Sequence, residues 1–357
     1  MRTHGGRWAE HVRQFGTAPL DYSANTSPLG MSPKARDAAV AALQHADRYP
    51  DPTCYDLREG IARAYGLGAD VVLAGNGAGD LIYRLALALR PRHALVLAPT
   101  FSEYRAAFEQ VGCEVHEYPL AAERNFELDE GILTCITERL DVLVLCEPNN
   151  PTGRTTSAAL MERIVSRCDA TGTLLVADEC FMDFLPHAQK HSLLRCVERH
   201  RVLVLRAFTK FYGMAGLRLG WCACADKPLL RRMADAGQPW SVSLVGQEAG
   251  IAALEDVEYA RQVRAVVADA RPRLATSLAE LGCHVVPGEA NYLLFRAPVR
   301  APVRAPAPNL AQRLEAMGVL IRDCSDYSGL EAGWYRVAVR TERENAVLVH
   351  ALREVFA

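Results

Sequence analysis

The chain contains a lysine and an aspartate that each close an apolar run, two asparagines set between prolines, and a glycine-rich turn ahead of a helix. Lys210 stands in Ala207-Phe208-Thr209-Lys210, with Arg218 eight residues on. Burial and a nearby like charge lower the pKa of such an amine, which readies it to form a Schiff base; a lysine alone is more often a surface charge. Asp178 follows Leu174-Leu175-Val176-Ala177. A carboxylate there is either paired or serves a ligand, because burying it alone is costly, and a helix N-cap is its plainer reading. In Glu147-Pro148-Asn149-Asn150-Pro151-Thr152-Gly153, an Asn side chain offers both a donor and an acceptor, and the prolines hold it rigid. Gly75-Asn76-Gly77-Ala78-Gly79-Asp80 lies between an apolar run and a helical pattern. Such a turn can present free N–H groups and a positive dipole end to a phosphate, although many strand-to-helix turns bind nothing. Together the four supply a phosphate cradle, a ring-oxygen partner, a carboxylate and a Schiff-base lysine. Those parts suit pyridoxal 5'-phosphate, whose ring becomes an electron sink when a carboxylate keeps its nitrogen protonated.

Short apolar runs must position these groups. Val71–Ala74, Ala94–Ala98, Asp141–Cys146, Thr173–Ala177, Val202–Arg206 and Gly220–Cys224 alternate with helical patterns such as Leu81–Leu89. Near-continuous apolar strands separated by helices predict a mostly parallel sheet covered on both faces, with ligands at the carboxyl ends of its strands. From about Gln262 the pattern changes: a helix over Tyr259–Leu281, strands at His284–Val286, Tyr292–Phe295, Val319–Arg322 and Trp334–Val339, and helices at Leu310–Met317 and from Arg343. This mixture predicts a smaller α+β domain. Residues 31–256 are expected to form the large domain, and both chain ends, 1–30 and 257–357, the small one. Between them the repeated Arg-Ala-Pro-Val unit, Arg296 to Pro308, reads as an extended surface loop.

Composition narrows the function classes. The 357 residues carry 40 Lys+Arg against 42 Asp+Glu, a net charge of -2, which argues against a nucleic-acid or membrane-surface binder. The 11 cysteines show no CxxC spacing, so neither a disulfide framework nor a structural zinc site is expected. No leader-like apolar segment or membrane-length run appears, and a cytoplasmic protein is the expectation.

The order of glycine turn, Asn-Asn-Pro-Thr-Gly, Asp, Lys and Arg resembles the fold-type I pyridoxal-phosphate enzymes of the aspartate aminotransferase superfamily over essentially the whole chain. The resemblance implies an α/β fold: a large domain with a mostly parallel seven-stranded sheet, plus a smaller α+β domain. It implies Lys210 as the Schiff-base lysine, Asp178 as partner of the ring nitrogen, and Asn150 at the ring hydroxyl. Ala78 and Gly79 (through backbone N–H), Thr209 and Arg218 would hold the phosphate. Phe101 would stack on the ring, with Tyr104 as the alternative. Tyr49 would reach the phosphate in a neighbouring subunit, which makes a homodimer the expected unit. Within the superfamily, His4-Gly5-Gly6, Asn25 in the stretch Asp21–Gly30, and Phe181 in place of a tyrosine resemble L-threonine-O-3-phosphate decarboxylases more than histidinol-phosphate aminotransferases. Arg7 and Ser27 depart from the decarboxylase pattern. On this likeness His4, Asn25, Asn150, Arg322 and Arg336 bind a small phosphorylated amino acid. The implied reaction converts L-threonine O-3-phosphate to (R)-1-amino-2-propanol phosphate, as in cobalamin biosynthesis. Phosphoserine decarboxylation and aminotransfer are the alternatives.

Overall fold

A computed structural model describes residues 4–298 and 309–357. The Arg-Ala-Pro-Val repeat beyond Pro298 lies outside the described residues. The first strand, β1 (Leu20–Asp21), has only two residues and pairs far downstream. Seven strands then build the large sheet: β2 (Val72–Gly75), β3 (His93–Ala98), β4 (Glu114–Pro119), β5 (Val142–Cys146), β6 (Leu174–Asp178), β7 (Val202–Ala207) and β8 (Gly220–Cys224). Their spatial order is β2-β8-β7-β6-β5-β3-β4. Every pairing is parallel except those of β8, which runs against both β2 and β7. The predicted mostly parallel seven-stranded sheet is therefore present.

The apolar runs are continuous because both faces are buried, and the two-residue alternation of a strand divides them. Leu95, Leu143, Leu175 and Val204 pack on one face. Val96, Val144, Val176 and Leu205 pack on the other. Between strands, helices start and stop on local signals. In Ala158–Thr171, for example, the Ser157 hydroxyl accepts the Leu160 N–H, and Gly172 ends the helix at a φ of 74°. All eleven cysteines are free, and nine are buried among the core side chains.

The second sheet contains β9 (His284–Val285), β10 (Tyr292–Arg296), β12 (Arg322–Asp323) and β13 (Trp334–Ala338), in the order β12-β13-β10-β9. β11 (Val319–Leu320) pairs instead with β1, so the expected single strand over Val319–Arg322 is two. Ile321 separates them, and each half follows a different partner. β4 is an edge strand that carries no long apolar run, because Glu114, His116 and Glu117 interrupt its sequence, Glu-Val-His-Glu-Tyr-Pro. The helix Val257–Glu280 packs against the second sheet, helped by Leu274 and Leu278 in its core. No described helix is long and apolar enough to cross a membrane.

Candidate active site

The chemistry-bearing residues collect at the carboxyl ends of the parallel strands, where β8 begins. β2 runs into Asn76 and Gly77, and then into the helix Ala78–Leu89. No side chain caps that helix, so its first-turn N–H groups, including those of Ala78 and Gly79, are left to a ligand or solvent. Gly77 has a φ of 91°. A Cβ there would lie 2.9 Å from Arg218 Nη2, and one on Gly220 would lie 2.5 Å from the Ala78 nitrogen. Only glycines allow Arg218 and the start of β8 to close on this turn. Arg218 itself has a φ of 55°, and its Nη1 donates to the Ala215 carbonyl at 3.1 Å.

Asp178 closes β6 and is buried. It accepts the Tyr104 hydroxyl at 2.6 Å and the Cys180 N–H at 3.0 Å. Burial, reinforced by the Asp178 carboxylate, pushes the Tyr104 phenol well above its ordinary pKa, so the hydroxyl stays a donor. Tyr104 stands edge-on to Phe101 with ring centroids 5.5 Å apart. Its hydroxyl faces Asp178, whereas Phe101 is only partly buried.

Lys210 sits on the short helix Phe208–Phe211 after β7, next to the buried Thr209. Its Nζ lies 5.7 Å from the centre of the Phe181 ring and has no hydrogen bond or ion pair among the described residues. Burial lowers the pKa of this amine, the charge of Arg336 lowers it next, and Arg218 adds to the lowering, while Cys180 and Asp178 act in the opposite direction. The sequence pointed to burial and to Arg218. It did not identify Arg336, which belongs to the second sheet.

The two asparagines divide their work. Asn149 ties loops together: its Nδ2 donates to the Pro99 carbonyl at 3.0 Å and to Thr152 Oγ1 at 3.1 Å, and its Oδ1 accepts from Thr100 Oγ1 at 2.8 Å. Asn150 turns its Oδ1 to Arg336 Nη1. Arg336 Nη2 donates to the Ser23 carbonyl at 2.7 Å, and its guanidinium lies 5.6 Å from the Tyr292 ring centre. Arg322 is the register partner of Arg336 across β12 and β13, so both side chains leave the same face. Arg322 is held bidentately by Asp326, at 2.8 Å to each oxygen, and lies 5.2 Å from the Tyr327 ring centre.

The segment after β1 joins the two sheets at this point. Ser27 N–H donates to the Lys210 carbonyl at 2.9 Å, and Ser32 N–H to the Tyr212 carbonyl at 3.1 Å. Asn25 is buried in this crossing. Asn291 Nδ2 donates to its carbonyl at 3.2 Å, while its own Oδ1 has no partner among the described residues. The Ser27 hydroxyl accepts from Tyr259 at 2.7 Å. His4 lies nearby, with its Nε2 3.0 Å from Glu103 Oε1 and its ring 5.9 Å from that of Phe101. Tyr49 is 79% exposed and packs on Trp240, with ring centroids 4.6 Å apart.

The residues present fit pyridoxal 5'-phosphate. An uncapped helix start faces Arg218, and among the described residues a desolvated amine and two buried polar atoms, Asn25 Oδ1 and Arg336 Nε, have no hydrogen-bond partner. Sequence reasoning missed Tyr292, Tyr327 and Asp326. The first two read as ordinary core aromatics. Asp326 carried a signal, an acid four residues after Arg322.

The aminotransferase class I and II family model matches residues 17–352. A threonine-phosphate decarboxylase of Salmonella typhimurium is 37% identical over 357 aligned residues, covering 99% of this chain and 96% of that protein. A histidinol-phosphate aminotransferase of Symbiobacterium thermophilum is 35% identical, covering 98% and 94%. In fold, the chain is similar to the crystal structure of the histidinol-phosphate aminotransferase from Clostridium acetobutylicum. The TM-score is 0.86 at 24% identity, over 94% of this chain and 99% of that one. With the cofactor cradle, the buried amine and these matches together, the chain belongs to the aminotransferase class I and II family and is a pyridoxal-phosphate-dependent enzyme.

Proposed function

We propose that the chain decarboxylates an O-phospho-L-amino acid, with L-threonine O-3-phosphate as substrate and (R)-1-amino-2-propanol phosphate as product. The observation carrying this reading is the 37% identity to the Salmonella typhimurium threonine-phosphate decarboxylase over 99% of the chain. The site's chemistry supports it, because Arg322 and Arg336 face the same way and suit a substrate that bears both a phosphate and a carboxylate.

In this reading Ala78, Gly79, Thr209 and Arg218 bind the cofactor phosphate, Phe101 covers one face of the ring, and Tyr104 holds the Asp178 carboxylate in place. Asn150 meets the ring hydroxyl. Pyridoxal 5'-phosphate supplies a carbonyl for the substrate amine and a ring that takes up the electron pair of a broken Cα bond. Asp178 keeps a proton on the ring nitrogen. Arg336 would bind the substrate carboxylate, and Arg322, Asn25 and His4 its phosphate, and this orientation would decide which Cα bond is presented for cleavage. The lowered pKa of Lys210 suits its amine to take a proton from the substrate's ammonium group, and the resulting ammonium would return that proton to Cα once the carboxylate has left. The large domain in this proposal is residues 31–256, with residues 1–30 and 257–357 forming the small one. Two copies pair so that Tyr49 of each serves the other's phosphate site.

Aminotransfer on a phosphate-bearing substrate is the second reading. It is favoured by the 35% identity to the Symbiobacterium thermophilum aminotransferase. Both substrates carry a phosphate for Arg322, and in the second reading Arg336 would meet a carboxylate of 2-oxoglutarate. The test is to incubate the purified protein with O-phospho-L-threonine and measure carbon dioxide, in parallel with histidinol phosphate plus 2-oxoglutarate. Carbon dioxide from phosphothreonine is expected. Glutamate formation without carbon dioxide overturns the proposal. Running O-phospho-L-serine beside it separates substrates that differ by one methyl, worth about 1–3 kcal/mol.

A further inference from the structure

We propose that His93, Glu114 and His116 form a binding site for one divalent transition-metal ion, best matched by zinc, at the edge of the large sheet remote from Lys210. β3 and β4 run parallel and begin together, with His93 in register with Glu114, and Leu95 with His116. Glu114 and His116 are two residues apart on one strand and therefore leave the same face; His93 stands across the ladder from them. The active-site residues lie at the other, carboxyl end of these strands, so this cluster has no part in the cofactor site.

The start of β3 is held in place. The Asp141 carboxylate accepts the N–H groups of Arg92 at 2.7 Å and of His93 at 2.9 Å, and Glu114 N–H donates to the Arg92 carbonyl at 2.8 Å. On this footing one ligand atom from each of the three side chains lies within 4.8 Å of the other two. His93 Nδ1 is 3.5 Å from Glu114 Oε2, and His116 Nε2 is 3.6 Å from Glu114 Oε1. Zinc bonds of about 2.0–2.2 Å in a tetrahedron place neighbouring ligand atoms roughly 3.3–3.6 Å apart; each histidine nitrogen stands at about that spacing from one oxygen of Glu114, a different oxygen for each, so the carboxylate lies between the two rings. The imidazole rings stack with centroids 5.8 Å apart and an interplanar angle of 22°.

The donor set selects the ion. Two imidazoles and one carboxylate suit zinc and its first-row neighbours, while calcium and magnesium require oxygen ligands throughout. All three residues are partly or fully exposed, which leaves the fourth position to water and gives the ion a way in. The eleven cysteines take no part. An ion held here would fasten β4, the outermost strand, to β3.

The test uses tag-free protein loaded with pyridoxal 5'-phosphate, titrated with zinc chloride by calorimetry. Wild type is expected to bind one zinc per chain with micromolar affinity. His93→Gln and His116→Gln should each weaken binding about tenfold or more, at least as much as loss of an outer-shell partner costs at other metal sites. Zinc should also raise the melting temperature of wild type and leave that of the double variant unchanged. Because these side chains are exposed, the variants should melt like wild type in chelator-treated buffer, so a loss of binding reports the site itself. Zinc binding by the double variant equal to that of wild type, or loss of binding in Cys135→Ser instead, overturns the proposal.

Discussion

Arg336→Lys tests the proposed substrate site most directly, because the guanidinium has three separate tasks there. Nη1 and Nη2 hold Asn150 Oδ1 and the Ser23 carbonyl, and Nε is buried without a partner among the described residues. A buried donor left unpaired costs about 1–3 kcal/mol until something accepts from it, and a substrate carboxylate would do so. Lysine keeps the charge but offers a single nitrogen, which cannot serve Asn150, Ser23 and a ligand together. Losing two charge-assisted hydrogen bonds at about 1.5 kcal/mol each amounts to roughly 3 kcal/mol, or about a hundredfold in kcat/KM. The assay is carbon dioxide release from O-phospho-L-threonine, with the cofactor's absorption band recorded on the same sample to verify loading. A kcat/KM that falls less than about threefold in fully loaded Arg336→Lys would remove Arg336 from the substrate site.

Three further substitutions probe other parts of the site. Gly77→Ala puts a Cβ near Arg218 Nη2 at a φ of 91°, a conformation costing non-glycine residues about 1–3 kcal/mol. Cofactor retention in equilibrium dialysis should weaken by roughly tenfold, and unchanged retention would discard the cradle. Lys210→Met removes an amine whose folded-state pKa burial has lowered. Between that lowered value and its unfolded value of about 10.4, the unfolded chain binds more protons, so cofactor-free wild type gains stability as pH rises through this window. Lys210→Met should lack that gain and be the more stable protein at neutral pH. Parallel urea midpoints for the two proteins across the alkaline range would contradict it. Asp326→Asn releases Arg322 from a half-exposed partner worth about 0–1 kcal/mol. It should lower KM for the phosphorylated substrate by up to about fivefold, and an increased KM would show that Arg322 does not meet the phosphate.

Much of the large sheet was legible because a strand buried on both faces must be apolar over nearly its whole length, as β5 is throughout and β6 and β7 are up to Asp178 and Arg206. β4 was not, since an edge strand exposes one face to water and its alternating Glu, His and Tyr carry no long apolar run. The break at Ile321 was hidden for another reason: the residues on both sides favour extended structure, and only the choice of partner strand separates them. The site followed the same logic. Lys210, Asp178 and Asn150 stood out because polar groups ending buried strands need a reason to be there. The contacts between sheets did not, because nothing local in Trp334-Tyr335-Arg336 indicates that its arginine reaches Asn150 and Ser23, residues 186 and 313 positions away.

The free cysteines also bear on how this enzyme could be handled. Burial pushes the thiols of Cys54, Cys113 and Cys283 up to about 11, and those of Cys168 and Cys324 up to about 12. At neutral pH less than about one in a thousand of these groups is the reactive thiolate, and steric burial lowers access further. Cys135 is the one exposed cysteine and Cys196 is half-buried with its thiol pushed up by burial, so Cys135 is where a maleimide dye would attach first. The wild-type chain therefore brings its own attachment point for a fluorescent label, without any engineering of its core.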